Sequence, residues 1–350
     1  MKQIKTSLLV LACAGVSSLG FASQYYYIGG NTADVSSWVE AVANPDHLWH
    51  TTTTIREVGN PDIDENSRTY QAASALPASG DVLMFIEKLT MIDKDGNTVD
   101  KTPEAVDMSF NSDIGFAKFF VSKTDSSVNK FTIDASSSGV GGGGVTFSAN
   151  GDFGLNGKAT TQFLANRGST NAAVNFAHTG GTAFILNGAK LEIGSSESAF
   201  DTVSFRGVKW ENGTVDIYAK NISIATIQAY AANCNITFHI EGLNDAAALS
   251  IGNYAADAKF VLDLSDVASD FDVSTDYILA TISNGSSFEN YGDFLTVNGL
   301  SAEQLARLNW DIASQTLSLV GAAVPEPAAV AAILGLAALG FAAYRRRSAK

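Results

Sequence analysis

The residues of this chain that could bind a metal ion do not form a complete set. His47 and His50 have the spacing that would place two imidazoles on one face of a helix. Pro45 before them and the threonine run from Thr51 favour a loop instead. No third ligand stands near them at a known spacing, and zinc sites use at least three protein ligands. We therefore predict a surface loop here.

An acidic segment matches part of a calcium-binding loop, whose ligand positions would be filled by Asp93, Asp95, Asn97 and Glu104. However, Thr98 stands where the sharp turn of that loop requires glycine, and Pro103 interrupts the segment. A hairpin turn through Asp95-Gly96 explains the same residues. We predict this hairpin, with the preceding segment Phe85 to Ile92 as strand.

The other reactive groups also favour structure over catalysis. Cys234 lies in an alternating apolar stretch from Asn233 to Ile240, which predicts a buried thiol. The run Gly141 to Gly144 lacks the Lys-Ser/Thr pair of a phosphate-binding loop and predicts a flexible turn. The sequence contains no Gly-x-Ser-x-Gly elbow and no Cys-x-x-Cys pair. We predict no catalytic, cofactor-binding or metal-binding residue, and no cofactor.

The first 22 residues have the layout of a secretory signal peptide. Lys2 and Lys5 precede a short apolar run, and small residues lead to an exit at Ala22. The run is shorter than the roughly 20 residues that a membrane span needs. We predict cleavage after Ala22, the alternative being lipidation of Cys13 after Val10-Leu11-Ala12.

The C-terminal segment 325–350 has three parts in a fixed order. Pro325-Glu326-Pro327 leads into an uncharged stretch, Ala328 to Tyr344, and Arg345, Arg346 and Arg347 follow at once. As a helix the stretch would be about 26 Å long, just enough to span a bilayer. Arginines next to a span remain on the cytoplasmic side. The body, 23–324, is therefore expected on the far side of the membrane, whether the tail is a sorting signal or an ordinary anchor.

This arrangement resembles the PEP-CTERM sorting signal of Gram-negative bacteria, with Pro325, Glu326, Pro327 and the three arginines as the matching residues. The resemblance implies that a membrane-embedded exosortase recognises the tripeptide and cuts nearby. The body would then pass from an inner-membrane-tethered intermediate to the cell surface or extracellular matrix. The implied partners are exosortase and the secretion machinery, with exopolysaccharide as a candidate partner of the body.

The formal net charge of −14 excludes one class of partner. Such an acidic surface repels nucleic acid and anionic lipid, so we predict no nucleic-acid partner. It stays soluble, and removing the basic ends of the chain makes the body more acidic still. Only Cys234 would then remain as a thiol, so the exported body cannot form an internal disulfide.

The body has the periodicity of short strands. Segments rich in β-formers are separated by turn signals such as Asn187-Gly188 and Asn212-Gly213, and the strand segments are 131–133, 145–147, 184–186, 191–193, 203–205, 215–218 and 236–238. Phenylalanines recur at 131, 147 and 163 and again at 184 and 205, which suggests stacked rungs. The fold prediction is a mainly β protein with a right-handed parallel β-helix body. An antiparallel β-sandwich is the alternative.

The body also resembles the autotransporter-like β-helix proteins that often carry such a tail. The opening match consists of Trp38 or Trp49, then Pro77 and Gly80-Asp81 before the strand Val82 to Ile86. The closing match is Leu308 to Asp311 followed by Thr316 to Leu319.

Two patches predict short capping helices at the ends of the body. Ser301-Ala302-Glu303-Gln304 is a capping box with Leu300 and Leu305 as a hydrophobic staple, which predicts a helix to about Leu308. Val35, Trp38, Val39 and Val42 have helical spacing as well.

Two function classes remain open from the sequence. The first is a structural or adhesive surface protein, which needs no catalytic residues and is not an enzyme. The second is a carbohydrate-binding or polysaccharide-degrading protein, in which aromatics such as Trp210 or Tyr230 would contact sugar and Arg206 or Lys209 would assist. Carboxylates and a base converging on one face would favour the second class, since glycoside hydrolysis uses a carboxyl pair.

Overall fold

The structure is a computed structural model that describes 24–27, 49–53, 69–72, 81–86, 89–92, 98–101, 105–110, 113–133, 144–149, 151–166, 172–178, 184–243, 246–254, 259–284 and 288–321. The predicted signal exit at Ala22 and the sorting residues from Pro325 to Arg347 lie outside the described residues. So do His47 and the predicted helix Val35 to Val42. Among the described residues, none belongs to a helix with the length and hydropathy of a membrane span.

Strands dominate the described residues, and helix is almost absent, which confirms the mainly β prediction. The strands of the first half are β1 (Gln24–Tyr27), β2 (Trp49–Thr53), β3 (Thr69–Ala72), β4 (Val82–Ile86), β5 (Leu89–Ile92), β6 (Thr98–Lys101), β7 (Asp107–Phe110), β8 (Ile114–Phe116), β9 (Lys118–Lys123), β10 (Val128–Ile133), β11 (Gly144–Ala149), β12 (Phe153–Gly157) and β13 (Thr160–Ala165). Those of the second half are β14 (Ala173–His178), β15 (Phe184–Asn187), β16 (Lys190–Ile193), β17 (Phe200–Phe205), β18 (Val208–Ile240), β19 (Leu249–Tyr254), β20 (Phe260–Asp263), β21 (Tyr277–Asn284), β22 (Leu295–Asn298), β23 (Leu308–Asp311) and β24 (Thr316–Leu319).

Each strand from β7 to β15 pairs in parallel with the strand three places further along the chain. We call the three resulting series ladders. Ladder 1 is β4–β9–β12–β15–β18. Ladder 2 is β7–β10–β13–β16–β18, continued by β18–β20–β22. Ladder 3 is β8–β11–β14–β17–β18–β19–β21.

The ladders join into one large, curled and mainly parallel sheet. The long strand β18 connects them, because successive segments of it pair with β15, β16, β17 and β20. This parallel pairing does not fit the alternative prediction of an antiparallel sandwich. Parallel strands need long connections between partners, which explains why neighbours in the ladders are far apart in the sequence.

The core is lined by side chains at alternate positions of each strand. In β13, Thr161, Phe163 and Ala165 are buried while their neighbours are only partly covered. One continuous apolar cluster extends from Leu83 to Leu319. Burial of alternate residues on one face is the pattern that short strands with a single core produce.

Phenylalanines form columns in this core, but not with the predicted spacing. Phe163 stacks on Phe131 with ring centroids 5.2 Å apart, and the two residues are partners in register. Phe147 contacts Phe163 edge-on, and its partner in register is Phe176. The rungs inferred from Phe131, Phe147 and Phe163 are therefore wrong, because consecutive phenylalanines belong to different ladders. Partners in ladder 2 are 30 positions apart at Gln162 and Glu192.

Antiparallel strands occur at both ends of the described chain. Near the N-terminus, β1, β2 and β3 pair in this way, so His50 lies in a strand and not in the predicted loop. Strands β5 and β6 also pair antiparallel, as predicted for a hairpin, and the predicted turn through Asp95-Gly96 lies outside the described residues. At the C-terminus, β24 pairs with both β21 and β23. The two segments matched to the closing of autotransporter-like proteins are thus strands β23 and β24.

The predicted capping helix is present and is shorter than expected. Helix α1 covers Ala302–Leu305, and Ser301 and Gln304 exchange both hydrogen bonds of the capping box. It ends before Leu308 because that residue already begins β23. Leu300 packs against the core, whereas the side chain of Leu305 is 43% exposed. A single turn of 3-10 helix, Tyr291–Asp293, precedes β22.

Candidate functional site

The most concentrated polar chemistry of the described residues lies on the outer face of ladder 2. Lys130, Gln162, Glu192 and Asp216 are consecutive partners in register across β10, β13, β16 and β18. Lys130 pairs with Asp107 of β7 at 3.7 Å, and the Gln162 amide donates to the Glu192 carboxylate. Cross-strand pairs of this kind each stabilise a sheet modestly.

His239 lies at the centre of the cluster, between two carboxylates. Its Nδ1 is 3.2 Å from Oδ2 of Asp263, and its Nε2 is 3.7 Å from Oδ1 of Asp216. The imidazole stacks on the ring of Tyr218, with centroids 4.1 Å apart and planes 4° apart. Burial alone would lower the pKa of His239, but the two carboxylates outweigh it and raise that pKa above its usual 6.5.

Lys190 links the two carboxylates that precede His239 in the ladder. Its Nζ forms an ion pair with Glu192 and lies 3.6 Å from Oδ2 of Asp216. The hydrogen bond from Lys190 to Glu192 is the main reason that the pKa of Lys190 is raised. Burial and then the Asp216 carboxylate raise the pKa of Tyr218. Lys190 therefore stays charged and Tyr218 stays neutral through the neutral pH range.

Two carboxyl groups beside His239 have pKa values shifted in opposite directions. Burial and the neighbouring Asp266 raise the pKa of Glu241 to about 7, and its Oε1 is buried with no hydrogen-bond partner among the described residues. Burial would also raise the pKa of Asp263, but hydrogen bonds from the Ser265 hydroxyl and amide lower it overall. The cluster thus holds one carboxyl that takes up a proton near neutrality beside one that stays ionised.

The arrangement can exchange protons, but it lacks the geometry of nucleophilic catalysis. The Ser265 hydroxyl donates to Asp263 at 2.6 Å, so Asp263 rather than His239 receives this hydroxyl. A serine nucleophile requires a hydrogen bond to the base that takes its proton. Within the described ranges, no group of three His, Cys, Asp or Glu side chains is placed to hold a metal ion.

The residues singled out for sugar binding do not come together at this cluster. Trp210 is 1% exposed and packs edge-on against Phe205 in the core, so the predicted sugar contact is wrong. Lys209 forms an ion pair with Glu211 at 2.6 Å, and Arg206 is exposed at the end of β17. Tyr230 lies within β18.

The prediction for Cys234 is confirmed, and that for the glycine run is changed. Cys234 is 5% exposed, and burial raises its pKa to about 12, so the thiol is not a nucleophile at neutral pH. Gly144 begins strand β11, and a Cβ there would lie 3.2 Å from Cβ of Ala173. The last glycine of the run therefore belongs to a strand with a close neighbour instead of a flexible turn.

The sequence did not reveal the cluster around His239. In the sequence there is no feature that distinguishes Asp216, His239 and Asp263 from other polar residues at alternate positions of a strand. His239 and Asp263 are 24 positions apart, and only the register of β18 and β20 shows that they are neighbours. A search for polar residues recurring at the length of one rung could have found them.

Comparisons with family models, with curated proteins and with solved structures find no match to this chain. The class that the structure itself defines is a mainly β protein built on a large, curled, mainly parallel sheet.

Proposed function

We propose that this chain is the precursor of an exported surface protein with a structural or adhesive role. In this proposal, segment 1–22 directs export and 23–324 forms the displayed body. Exosortase processes the tail 325–350, so that the body reaches the outer surface or the extracellular matrix. The observation that carries the proposal is the order Pro325-Glu326-Pro327, uncharged stretch, Arg345 to Arg347 at the C-terminus.

We further propose that the body is a right-handed parallel β-helix. Its support is the parallel pairing of each strand from β7 to β15 with the strand three places on, which occurs in all three ladders. Stacked rungs bury one continuous core and yield a stiff, elongated particle. Such a particle suits display or adhesion, because its outer faces repeat regularly and need no reactive site.

One uncharged row of side chains on the outer face of ladder 3 supports a display role as well. Small hydroxyl and amide side chains occupy consecutive register positions across six strands, namely Thr146, Asn175, Ser204, Ser223, Ser250 and Thr281. Several are linked to each other, as in the 2.9 Å bond from Ser204 to Asn175. These hydrogen bonds hold the side chains of the row in place, and the row remains hydrophilic.

The sorting half of the proposal is tested in the host that makes the protein. Replacing Pro325, Glu326 and Pro327 with alanine should leave the span inserted and block its processing, so that uncut protein accumulates in the membrane fraction. The matched control replaces Pro45, Asp46 and Pro61, again two prolines and one acid, and should be processed normally. Equal loss of the tail from both variants and equal arrival at the surface would show that the tripeptide is no sorting signal.

The export signal and the shape of the body are tested on secreted material. N-terminal sequencing should begin at residue 23, and a lipid-bearing start at Cys13 would contradict this. Circular dichroism should be rich in β-structure, and the sedimentation coefficient should be low for the mass. A compact particle dominated by helix would rule out the β-helix while leaving the sorting experiment intact.

A further inference from the structure

We propose that Asp216, His239 and Asp263 form a proton-operated clamp that holds consecutive strands of ladder 2 together in mild acid and loosens above neutral pH. The proposal concerns the stability of the C-terminal third of the body, and it does not depend on how the chain is sorted.

The geometry of the clamp spans three neighbouring segments of the sheet. Asp216 lies in the first third of β18, His239 lies near its end, and Asp263 is the last residue of β20. The end of β18 runs beside the first half of the same strand, since the amide of Glu241, directly after β18, donates to the Ala219 carbonyl at 3.1 Å. His239 therefore joins the part of the sheet before it to β20, which in turn pairs with β22.

Protonation completes the clamp because imidazolium has a donor on each ring nitrogen. The Nδ1–H then donates to Asp263 and the Nε2–H points to Asp216, and both interactions become charge-assisted. The three side chains are only 17 to 24% exposed, so solvent screens them less than it screens open surface pairs. Loss of the proton removes one donor and leaves carboxylates on both sides of a neutral ring.

The protonation of His239 depends on all the charged or titratable groups around it. Lys190 and Glu192 face it from β16, and Asp216 and Tyr218 from β18. Glu241 follows β18, and Asp263 and Asp266 come from β20 and the turn after it. Lys190 keeps its charge and Tyr218 stays neutral over the relevant range. His239 and Glu241 are the groups whose pKa shifts bring proton loss close to neutrality.

The raised pKa values of His239 and Glu241 change the stability of the fold in the same direction as pH rises. The pKa of His239 is raised, so its contribution is complete below 6.5 and is lost as pH rises through its folded value. The pKa of Glu241 is raised from 4.5 to about 7, so its contribution is also lost on the way up to that pH. Above it, ionised Glu241 repels the Asp266 carboxylate. The Glu241 contribution falls between about 4.5 and 7 and the His239 contribution falls above 6.5, so both weaken the strands around β20 as pH rises through neutrality.

The experiment compares thermal unfolding of the full chain at pH 6 and pH 8 for wild type, His239→Gln, Glu241→Gln and the double variant. We expect the wild-type midpoint to fall by about 3 °C or more over this range. Each single variant should show a smaller fall and the double variant the smallest. Asp107→Asn is the matched control, because it breaks the Lys130 pair of the same ladder without touching His239, and its fall should equal that of wild type.

A second measurement keeps the proposal falsifiable if His239→Gln does not fold. An NMR titration of the His239 ring in the wild-type chain should give a pKa above 6.5. A value below 6.5, or a pH-dependent fall that is unchanged in a folded His239→Gln variant, would overturn the clamp.

Discussion

Phe176 stacks on Phe147 with ring planes 15° apart and centroids 5.6 Å apart, and the two residues are partners in register between β14 and β11. Phe205 continues the column on the other side of Phe176, with planes 13° apart. Phe176 is thus held between two aromatic faces in the middle of ladder 3, where a smaller side chain would leave a void in a closely packed interior.

We predict that Phe176→Ala lowers the free energy of unfolding by about 3 to 5 kcal/mol. The loss combines the removed apolar surface with the cavity left between Phe147 and Phe205. Denaturant unfolding followed by circular dichroism measures it. Ser148→Ala in neighbouring β11 is the control, because Ser148 is exposed and its replacement should change stability little. A loss below about 1 kcal/mol for Phe176→Ala would mean that the column is not packed as described.

We predict a second large loss of stability for a substitution at Gly213, where the backbone conformation requires glycine. Gly213 has a φ of 111°, and a Cβ there would lie 2.1 Å from the carbonyl oxygen of Ala189. We expect Gly213→Ala to cost at least about 2 kcal/mol or to prevent folding, since both the backbone and Ala189 must shift. Gly292→Ala is the control, because its nearest contact would be an ordinary 3.4 Å. Equal melting temperatures for the two variants would contradict the prediction.

We predict that replacing Thr161 with valine increases the stability of the protein. The Thr161 side chain is fully buried beside Asn129 in register, and its hydroxyl has no hydrogen-bond partner among the described residues. Thr161→Val keeps the shape and removes the buried polar group, so we expect about 1 kcal/mol of stabilisation. The midpoint of urea unfolding reports it. A loss of stability instead would show that the hydroxyl is satisfied, for example by an internal water.

The strands were readable from the sequence because their signal is local. The alternation of β-formers at Phe131 to Ile133 and at Val203 to Phe205 predicted strands that are present. Asn187-Gly188 separates β15 from β16 as predicted, whereas Asn212-Gly213 lies within β18 and does not end a strand. The capping box at Ser301 was equally local, since its two hydrogen bonds join residues three positions apart.

Register could not be predicted, because every strand from β7 to β15 presents a phenylalanine to the same core. Phe147 could stack on Phe131, Phe163 or Phe176 as far as hydrophobicity is concerned, and the lengths of the connections decide among them. The cluster around His239 depends on that register. It therefore stayed hidden, although each of its residues could be seen to point outward.

We predict that the thiol of Cys234 reacts slowly with labelling reagents in the native state. Burial raises its pKa to about 12, and only the thiolate reacts with disulfide reagents. In a Cys13→Ser chain, which leaves Cys234 as the single thiol, labelling at pH 8 should be slow and should accelerate strongly in urea. The rate in a denatured sample is the reference. Native labelling at that reference rate would place Cys234 on the surface.

The last prediction concerns His178, whose pKa shift has the opposite sign to that of His239. His178 is 4% exposed at the end of β14, and burial is the main cause that lowers its pKa below 6.5. The charge of Arg206 lowers it further, while Asp152 opposes the shift.

Because the pKa of His178 is lowered on folding, the unfolded chain binds the proton more readily. The stability that His178 contributes is therefore complete above 6.5 and is lost as pH falls towards its folded value. We expect His178→Gln to flatten the fall in unfolding free energy between pH 6.5 and pH 4.5, whatever the variant does to stability at pH 7. Arg206→Gln should flatten it partly, since it removes one cause of the shift and leaves burial in place. Denaturant unfolding across this range measures both slopes. If His178→Gln falls as steeply as wild type, His178 is already able to take up its proton in the folded chain, and its burial in the core is not as described.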